Sequence, residues 1–174
     1  MSEVIERKML NKLPPTEKCN CFGCSSKNAA GLHMEFYTNH EMDLVVSWLS
    51  IPKQFCSVHS NITHGGIIST IVDEAMGYGA LVILKKLILS KSITVDFLSP
   101  VLLEKEIRVE ATVKEKKSDR EAMMEARIYN KNGEICARAS SVVILFEMED
   151  IKKMGIMDEE FLKDIEELMN SYEG

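Results

Sequence analysis

One segment of the chain places two adjacent carboxylates in an apolar stretch that follows two glycines. Gly65 and Gly66 come directly after His64, and Asp73 and Glu74 lie about two helical turns further on. Glycines at a helix start leave backbone N–H groups open, and the helix dipole makes that end attractive to negative charge. A carboxylate among apolar residues is costly unless it is paired, protonated or used in chemistry. The segment therefore predicts an oxyanion site beside a candidate base or nucleophile, which suits acyl transfer or hydrolysis.

Length and composition favour one soluble domain. The chain has 174 residues, of which 45% are hydrophobic and 28% charged, so it is long and apolar enough to form a core. A net charge of −6 argues against general binding to nucleic acid or to anionic membranes, because both need a basic face. The sequence starts without an apolar signal-peptide region, and its five cysteines are an odd number. We therefore expect a cytoplasmic protein with reduced thiols and without a membrane partner or a nucleic-acid partner.

The most apolar run of the chain is predicted to be a buried helix. Residues 67–84 approach the roughly 20 residues that span a bilayer. However, Asp73 and Glu74 would then lie near mid-membrane, where such a charge costs roughly 2.5–3.5 kcal/mol. We interpret the run as a core helix, in which Gly77 and Gly79 have a packing reason and apolar neighbours desolvate the Asp73 carboxylate.

Hydrophobic periodicity predicts strands on both sides of this helix. The predicted strands cover residues 31–38, 43–49, 91–98, 106–114, 121–129 and 135–146, and the predicted helices cover residues 65–86 and a segment that starts at Asp158. This order predicts an α+β fold in which a curved antiparallel sheet wraps around one long buried helix. The expected organisation is an N-terminal arm with a cysteine-rich loop (1–30), a central domain (31–148) and a C-terminal amphipathic helix (149–174).

Several segments of the sequence resemble one known family. The segment 64–77, with its His-Gly-Gly and Asp-Glu, and the segment 93–101 are similar to those of hotdog-fold acyl-CoA thioesterases, especially the phenylacetate-pathway type. Many relatives also carry a Cys-x-Gly-Cys loop, here residues 21–24, followed by Gly-Leu, here residues 31–32. The resemblance covers about residues 19–147. It implies a hotdog fold, hydrolysis of an acyl-CoA thioester, and self-association as a homodimer or homotetramer.

The resemblance also implies the main chemical roles. Asp73 would be the general base or the nucleophile, and the backbone amide of Gly65 or Gly66 would polarise the thioester carbonyl. Coenzyme A is part of the substrate, so no further cofactor and no metal are expected. The resemblance does not distinguish the nucleophilic route from the general-base route, and it does not identify the acyl group.

Further polar residues near the helix are candidates for the same site. Relatives often have an Asn or Gln upstream of the histidine, and Asn61 lies nearer to His64 than usual, with His59 also present. Some relatives use a serine at the start of the following strand to hold water, for which Ser90 is the first match and Ser92 the second. We expect His64 to fix the turn before the helix rather than to take part in the chemistry.

The spacing of the candidate groups favours a site shared between two chains. Gly66 and Asp73 are seven residues apart, which is roughly 10 Å along a helix. One carbonyl about 3 Å from both groups is therefore difficult to serve from a single chain. Two antiparallel helices at a two-fold axis would bring Gly66 of one chain near Asp73 of the other, so we expect activity to require a dimer.

Other charged and sulfur-bearing residues have two interpretations each. Four basic residues have two interpretations: they would contact the phosphates of coenzyme A at a subunit edge, or they belong to a solvated surface. These residues are Lys116, Lys117, Arg120 and Arg138. Three cysteines and one histidine form a packed thiol loop or, less favoured because a second Cys pair is missing, a zinc site: Cys19, Cys21, Cys24 and His33. Glu74 lies about 100° around the helix from Asp73 and is expected to meet solvent or a partner subunit.

Three alternative functions remain open from the sequence. A non-catalytic acyl-CoA sensor on the same fold is the main rival, because fold does not determine function. A hotdog dehydratase would need an Asp-His pair on another segment, and we find none in the sequence. A zinc-stabilised interaction module that uses the cysteine loop is the third alternative.

Overall fold

A seven-stranded antiparallel sheet is the frame of the computed structural model, which describes residues 5–15, 18–58 and 61–170. The strand order is β1-β2-β3-β5-β6-β7-β4, so β1 and β4 are the two edges. The strands are β1 (Asn11–Lys12), β2 (Phe36–Thr38), β3 (Val45–Ser50), β4 (Leu87–Phe97), β5 (Glu106–Lys116), β6 (Glu121–Asn130) and β7 (Ile135–Phe146). The helices are α1 (Gly65–Gly79), α2 (Met148–Met154) and α3 (Glu159–Asn170), and short 3-10 helices occur at Arg7–Met9 and Lys53–Phe55.

The curved sheet wraps around α1, as the order of elements predicts. The helix packs on β3 to β7, and Tyr78 of the helix stacks on Phe36 of β2. The inward residues Ile71, Val72 and Met76 are fully enclosed. Full burial of such a side chain contributes roughly 1.5–3 kcal/mol, so this helix holds the core together. The span Gly65–Leu84 has the length and hydropathy of a membrane helix, but 56% of its most apolar window is buried inside the protein. That burial is typical of the core helix of a soluble protein.

The two glycines of the core helix differ in their surroundings. A Cβ on Gly79 would lie 3.2 Å from Met124 Cε and 3.6 Å from Ala111 Cβ, so this glycine allows close packing of the helix on the sheet. A Cβ on Gly77 would meet nothing within 4 Å. The predicted packing reason therefore holds for Gly79 and is wrong for Gly77 within a single chain.

The first predicted strand is mostly a loop packed on another loop. The alternation in residues 31–38 does mark buried side chains, namely Leu32, Met34 and Phe36. However, the Leu32 and Met34 amides donate to the carbonyls of Phe22 and Gly23, and only Phe36–Thr38 pairs as a strand. Hydrophobic periodicity predicts which side chains are buried, but it does not predict where the backbone hydrogen bonds go. Here the backbone amides bind the cysteine loop instead of a neighbouring strand.

The core helix ends earlier than residue 86, and the following strand starts earlier than residue 91. After α1 the chain forms a π-helical turn, Ala80–Leu84, and Lys85 then adopts the left-handed conformation with φ 55°. This reversal stops the helix and lets β4 begin at Leu87. The Lys85 ammonium donates a 2.6 Å hydrogen bond to the carbonyl of Met169, which ties the end of the core helix to α3.

The chain termini add elements to both ends of the domain. Part of the predicted N-terminal arm pairs with the sheet, because β1 lies antiparallel to β2. The C-terminal region contains two helices rather than one, and the unpredicted α2 precedes the predicted amphipathic helix. In α3, Leu162, Ile165 and Leu168 are buried against the core, as the apolar stripe predicts.

Candidate active site

The centre of the candidate site is a contact between α1 and β4. The Ser90 hydroxyl donates a hydrogen bond of 2.7 Å to Oδ1 of Asp73. Both residues are exposed in the single chain. The expected desolvation of Asp73 by its apolar helix neighbours is therefore wrong for one protomer, because the carboxylate projects from the helix face that the sheet leaves open.

A β-bulge decides which serine faces the helix. Ser90 pairs with Val143 and Ser92 pairs with Val142, so Lys91 is an extra residue in the ladder. Consecutive paired residues point to opposite faces of a sheet. Ser90 and Ser92 therefore face opposite ways, although they are two positions apart in the chain.

The same bulge aligns the two ends of β4 toward α1. Phe97 is seven residues after Ser90, and in a regular strand an odd separation would put the two on opposite faces. With the bulge between them, both point at the helix: Ser90 contacts Asp73, and the Phe97 ring lies 3.4 Å from where a Cβ on Gly65 would be. One strand thus contacts both the candidate base and the candidate oxyanion donor.

The start of α1 is capped by a histidine ring. The Gly66 amide donates a 2.9 Å hydrogen bond to Nδ1 of His64, the N-cap residue. His64 therefore fixes the turn before the helix, as expected. The same hydrogen bond uses the Gly66 amide, which is then not free to bind another acceptor. The Gly65 amide has no hydrogen-bond partner among the residues that the structure describes. Of these two amides, the one of Gly65 is therefore available to donate to an incoming oxygen.

Asn61 lies in the exposed turn before the helix. Its carbonyl accepts a hydrogen bond of 3.0 Å from the amide of Leu103. Its side-chain amide makes no hydrogen bond within the described part of the chain, so the structure does not join it to the other candidates. His59 lies outside the described residues.

A cavity of about 340 Å³ opens beside Asp73 and Ser90. The wall of this cavity is largely apolar and includes residues that the sequence did not suggest for the site. Four such residues come from the end of the core helix, from the start of β4 and from α3: Leu81, Leu87, Phe161 and Ile165. The C-terminal helix therefore shapes the space next to the candidate base, as an acyl pocket would require.

The cysteine loop forms the opposite wall of this cavity. The Cys21 thiol donates to the two carboxylate oxygens of Glu74 at 3.4 and 3.5 Å, and it accepts the Gly23 amide at 3.3 Å. Glu74 is half-buried against this loop. The loop folds back over that face of the helix, so in the single chain the Glu74 carboxylate meets the loop rather than open solvent, contrary to the prediction of a solvent contact.

The acidities of these groups depend on each other and on burial. Burial is the largest cause that raises the pKa of Glu74, to about 7. The hydrogen bond from Cys24 lowers the pKa of the Cys21 thiol to about 5, and the same contact raises the pKa of the Cys24 thiol.

The metal-ligand set considered from the sequence differs from the one that the structure brings together. Within the described residues, one group of potential ligands has all its atoms within 4.8 Å of one another: Cys21, Cys24 and Glu74. His33 is not within this group, and its Nε2 donates a 2.7 Å hydrogen bond to the Asn28 carbonyl. Cys19 lines the same cavity. The sequence marks Glu74 as unusual, because it is a carboxylate in an apolar helix. The sequence does not indicate that Cys21 is its hydrogen-bond partner.

The four predicted phosphate-binding residues do not line the cavity beside Asp73. Lys116 forms an ion pair with Asp119 at 2.9 Å, and Lys117 lies 3.7 Å from Glu121. Arg120 follows them in the turn between β5 and β6, whereas Arg138 lies on β7 opposite Asp96 of β4. A single chain therefore does not bring these groups to the cavity.

Comparison of the sequence with protein families gives one match. Residues 60–137 match the family described as the thioesterase superfamily. This segment contains the capped helix start, Asp73 and Ser90. No curated protein matches the sequence.

Comparison of the fold with solved structures gives many matches of low sequence identity. The chain is similar to S. sahachiroi AziG (18% identity, TM-score 0.60, 67% of this chain and 93% of that one). It is also similar to the E. coli PaaI protein from the phenylacetic acid degradation operon (17%, 0.59, 67% and 81%). A third is a hypothetical thioesterase protein with coenzyme A from Streptococcus pneumoniae (15%, 0.56, 60% and 80%). These likenesses establish the hotdog fold.

Proposed function

We propose that this chain, which is assigned to the hotdog-fold thioesterase superfamily, hydrolyses an acyl-CoA thioester to a free acid and coenzyme A. The observation that carries the proposal is the hydrogen bond between Ser90 and Asp73 at the edge of an apolar cavity. A solved neighbour of the same fold contains coenzyme A, which supports this class of substrate. Family membership supports thioester hydrolysis in general, and the acyl-CoA substrate is our inference.

In the proposed reaction, Asp73 acts at the carbonyl carbon of the thioester. In one route Asp73 takes a proton from a water molecule that attacks this carbon, and Ser90 orients the carboxylate through its hydrogen bond. In the other route Asp73 attacks directly, and water then hydrolyses the mixed anhydride. In both, the Gly65 amide donates to the developing oxyanion, and coenzyme A leaves as the thiolate.

The edge strand β4 supports a composite site made by two copies of the chain. This strand is at the edge of the sheet and exposes Leu89, Ile93 and Phe97, at 46%, 38% and 57% of their surface. An exposed edge with apolar side chains is a template for pairing with another strand. The β4 strand of a second copy of the chain could pair with this edge. Such a pair has the closed two-fold symmetry that is usual for soluble oligomers.

Antiparallel pairing of β4 with its copy would also complete the chemistry. The Ser90 end of β4 contacts Asp73, and the Phe97 end lies beside Gly65. A two-fold axis through the middle of the strand, near Ile93, sets the Ser90 end of one protomer against the Phe97 end of its partner. Each Asp73 then lies near the partner's helix start, and a dimer has two equivalent sites.

The proposal also covers the coenzyme A phosphates, the oligomeric state, the compartment and the role of metals. The phosphates of coenzyme A would be contacted by basic residues at a subunit edge, for which Lys116, Lys117, Arg120 and Arg138 are the candidates. The protein is proposed to act in the cytoplasm as a homodimer or homotetramer, with no metal in the hydrolytic step.

The proposal is tested by thiol release from short, long and aromatic acyl-CoAs. Wild-type protein is compared with Asp73→Asn and with Asp96→Asn, a matched control on the exposed side of β4. We expect Asp73→Asn to lose about 100-fold or more of the rate, as for removal of a general base, and Asp96→Asn to keep it. Wild-type protein that binds acyl-CoA without turning over any substrate would instead indicate a sensor.

A further inference from the structure

The cysteine loop and the core helix together form a compact set of soft and acidic ligands. Cys21, Cys24 and Glu74 each offer an atom within 4.8 Å of the others. Two of them come from a loop, and the third comes from a helix 50 or more positions later in the chain. The proposed hydrolysis does not use these three groups.

The distance between Cys21 and Glu74 matches the ligand-to-ligand separation in a tetrahedral zinc site. Zinc binds thiolate sulfur at about 2.3 Å and carboxylate oxygen at about 2.0–2.2 Å, which separates the two ligands by about 3.5 Å in a tetrahedron. The Cys21 sulfur lies 3.4 and 3.5 Å from the two oxygens of Glu74. Thiolates prefer zinc over magnesium and calcium, which prefer oxygen ligands alone.

The loop is built to receive the Glu74 carboxylate. A Cβ on Gly23 would lie 2.5 Å from Glu74 Cδ and 2.6 Å from its Oε2, so a larger residue at position 23 would displace the carboxylate from the loop. The Gly23 amide donates to the Cys21 sulfur at 3.3 Å. Such a backbone donor orients a thiolate, as outer-shell hydrogen bonds do for metal ligands.

The charge around this set favours a cation. A bound metal would displace the protons of both thiols, so three anionic ligands would then face the cavity beside Asp73. Of the described residues that line the cavity, Lys86 is the one basic side chain, and its ammonium is paired with Glu147. A bound divalent ion would offset most of this charge.

We propose that Cys21, Cys24 and Glu74 bind a zinc ion, with the fourth coordination position open to the cavity. The ion would fasten the cysteine loop to α1 one residue away from Asp73. This inference does not depend on the proposed hydrolysis, because it concerns only the loop and the neighbouring helix position.

The test is metal binding by protein purified without a polyhistidine tag and kept reduced. Bound zinc is measured by elemental analysis, and affinity is measured by competition of zinc with a chromophoric chelator. We expect one zinc per chain in the wild type. We expect Cys21→Ser, Glu74→Gln and Gly23→Ala each to weaken zinc binding at least tenfold, with Gly23→Ala acting through displacement of Glu74. The matched control is Cys56→Ser, because Cys56 is an exposed thiol outside the loop.

A spectroscopic arm keeps the proposal testable if a variant fails to fold. Cobalt added to metal-free wild-type protein should give thiolate-to-cobalt charge-transfer bands and the visible bands of a tetrahedral ion. Absence of these bands, or loss of zinc in Cys56→Ser equal to that in Cys21→Ser, would overturn the site. Reduced wild-type protein that binds no zinc, but whose Cys21 and Cys24 form a disulfide when oxidised glutathione is added as the electron acceptor, would show a redox pair instead.

Discussion

Ser90 donates a 2.7 Å hydrogen bond to Oδ1 of Asp73, and this contact joins the edge strand to the core helix. If the bond orients the base, Ser90→Ala should lower kcat about tenfold, which corresponds to about 1.4 kcal/mol, with a smaller change in KM. The measurement is steady-state thiol release at saturating substrate. The control is Ser92→Ala, because Ser92 faces the other side of the bulged strand. Equal losses in the two variants would contradict the assignment.

His64 caps the core helix through its ring. The Gly66 amide donates to Nδ1 of His64, so His64→Ala should lower the free energy of unfolding by about 1 kcal/mol. His64→Asn should keep most of the stability, because asparagine is a good N-cap residue. Denaturant unfolding of the three proteins measures this. A variant that unfolds like wild type but has lost turnover would indicate that His64 takes part in the chemistry.

The edge strand is the proposed contact between protomers. Ile93 lies in the middle of β4 and is 38% exposed in the single chain, so Ile93→Lys should place a charge at the two-fold axis. We expect the variant to sediment as a monomer and to lose activity while its circular dichroism stays native. Asn132→Lys adds the same charge in the turn between β6 and β7 and should change neither property. An active monomer would exclude the composite site.

Alanine should stabilise the core helix more at position 77 than at position 79. Gly77 has open space around its Cα, so Gly77→Ala should raise the free energy of unfolding by about 0.5–1 kcal/mol. Gly79→Ala should gain less or lose stability, because the new Cβ would lie 3.2 Å from Met124 Cε. Urea unfolding midpoints compare the two. Destabilisation by Gly77→Ala would show that another group, such as a partner helix, packs there.

Two cysteines outside the loop should differ in reactivity. Cys136 is 1% exposed and burial raises its pKa, whereas Cys56 is exposed. At pH 8, iodoacetamide should therefore label Cys56 well before Cys136, because the thiolate is the reactive form and needs access. Peptide mass spectrometry after timed labelling measures both rates. Fast labelling of Cys136 would mean that the end of the sheet opens readily.

The regular part of the fold could be predicted because its pattern has one physical cause. Strands with one buried face alternate strictly, and the predicted strand 135–146 agrees with the observed Ile135–Phe146. Residues 31–35 show the limit of this signal. Leu32 and Met34 are buried as the alternation predicts, but their amides bind the cysteine loop, and periodicity does not report a backbone partner.

The candidate site could be predicted in part. The helix start and Asp73 belong to one continuous segment, so their relation follows from helix geometry. The contact between Cys21 and Glu74 joins positions 53 residues apart, and its prediction needs the path of the intervening chain. A glycine between two cysteines was the one local sign, since it leaves room for the carboxylate of Glu74.

The extra residue in β4 also changes how this strand should be matched to other chains. Lys91 occupies a place in the sequence but none in the ladder, so Ser90 and Phe97 are six paired positions apart rather than seven. A homologue without the bulge should have its serine six residues before the aromatic residue and still present both to the helix. Alignments of this strand should therefore count ladder positions, and a gap opposite Lys91 is the correct way to superpose the two forms.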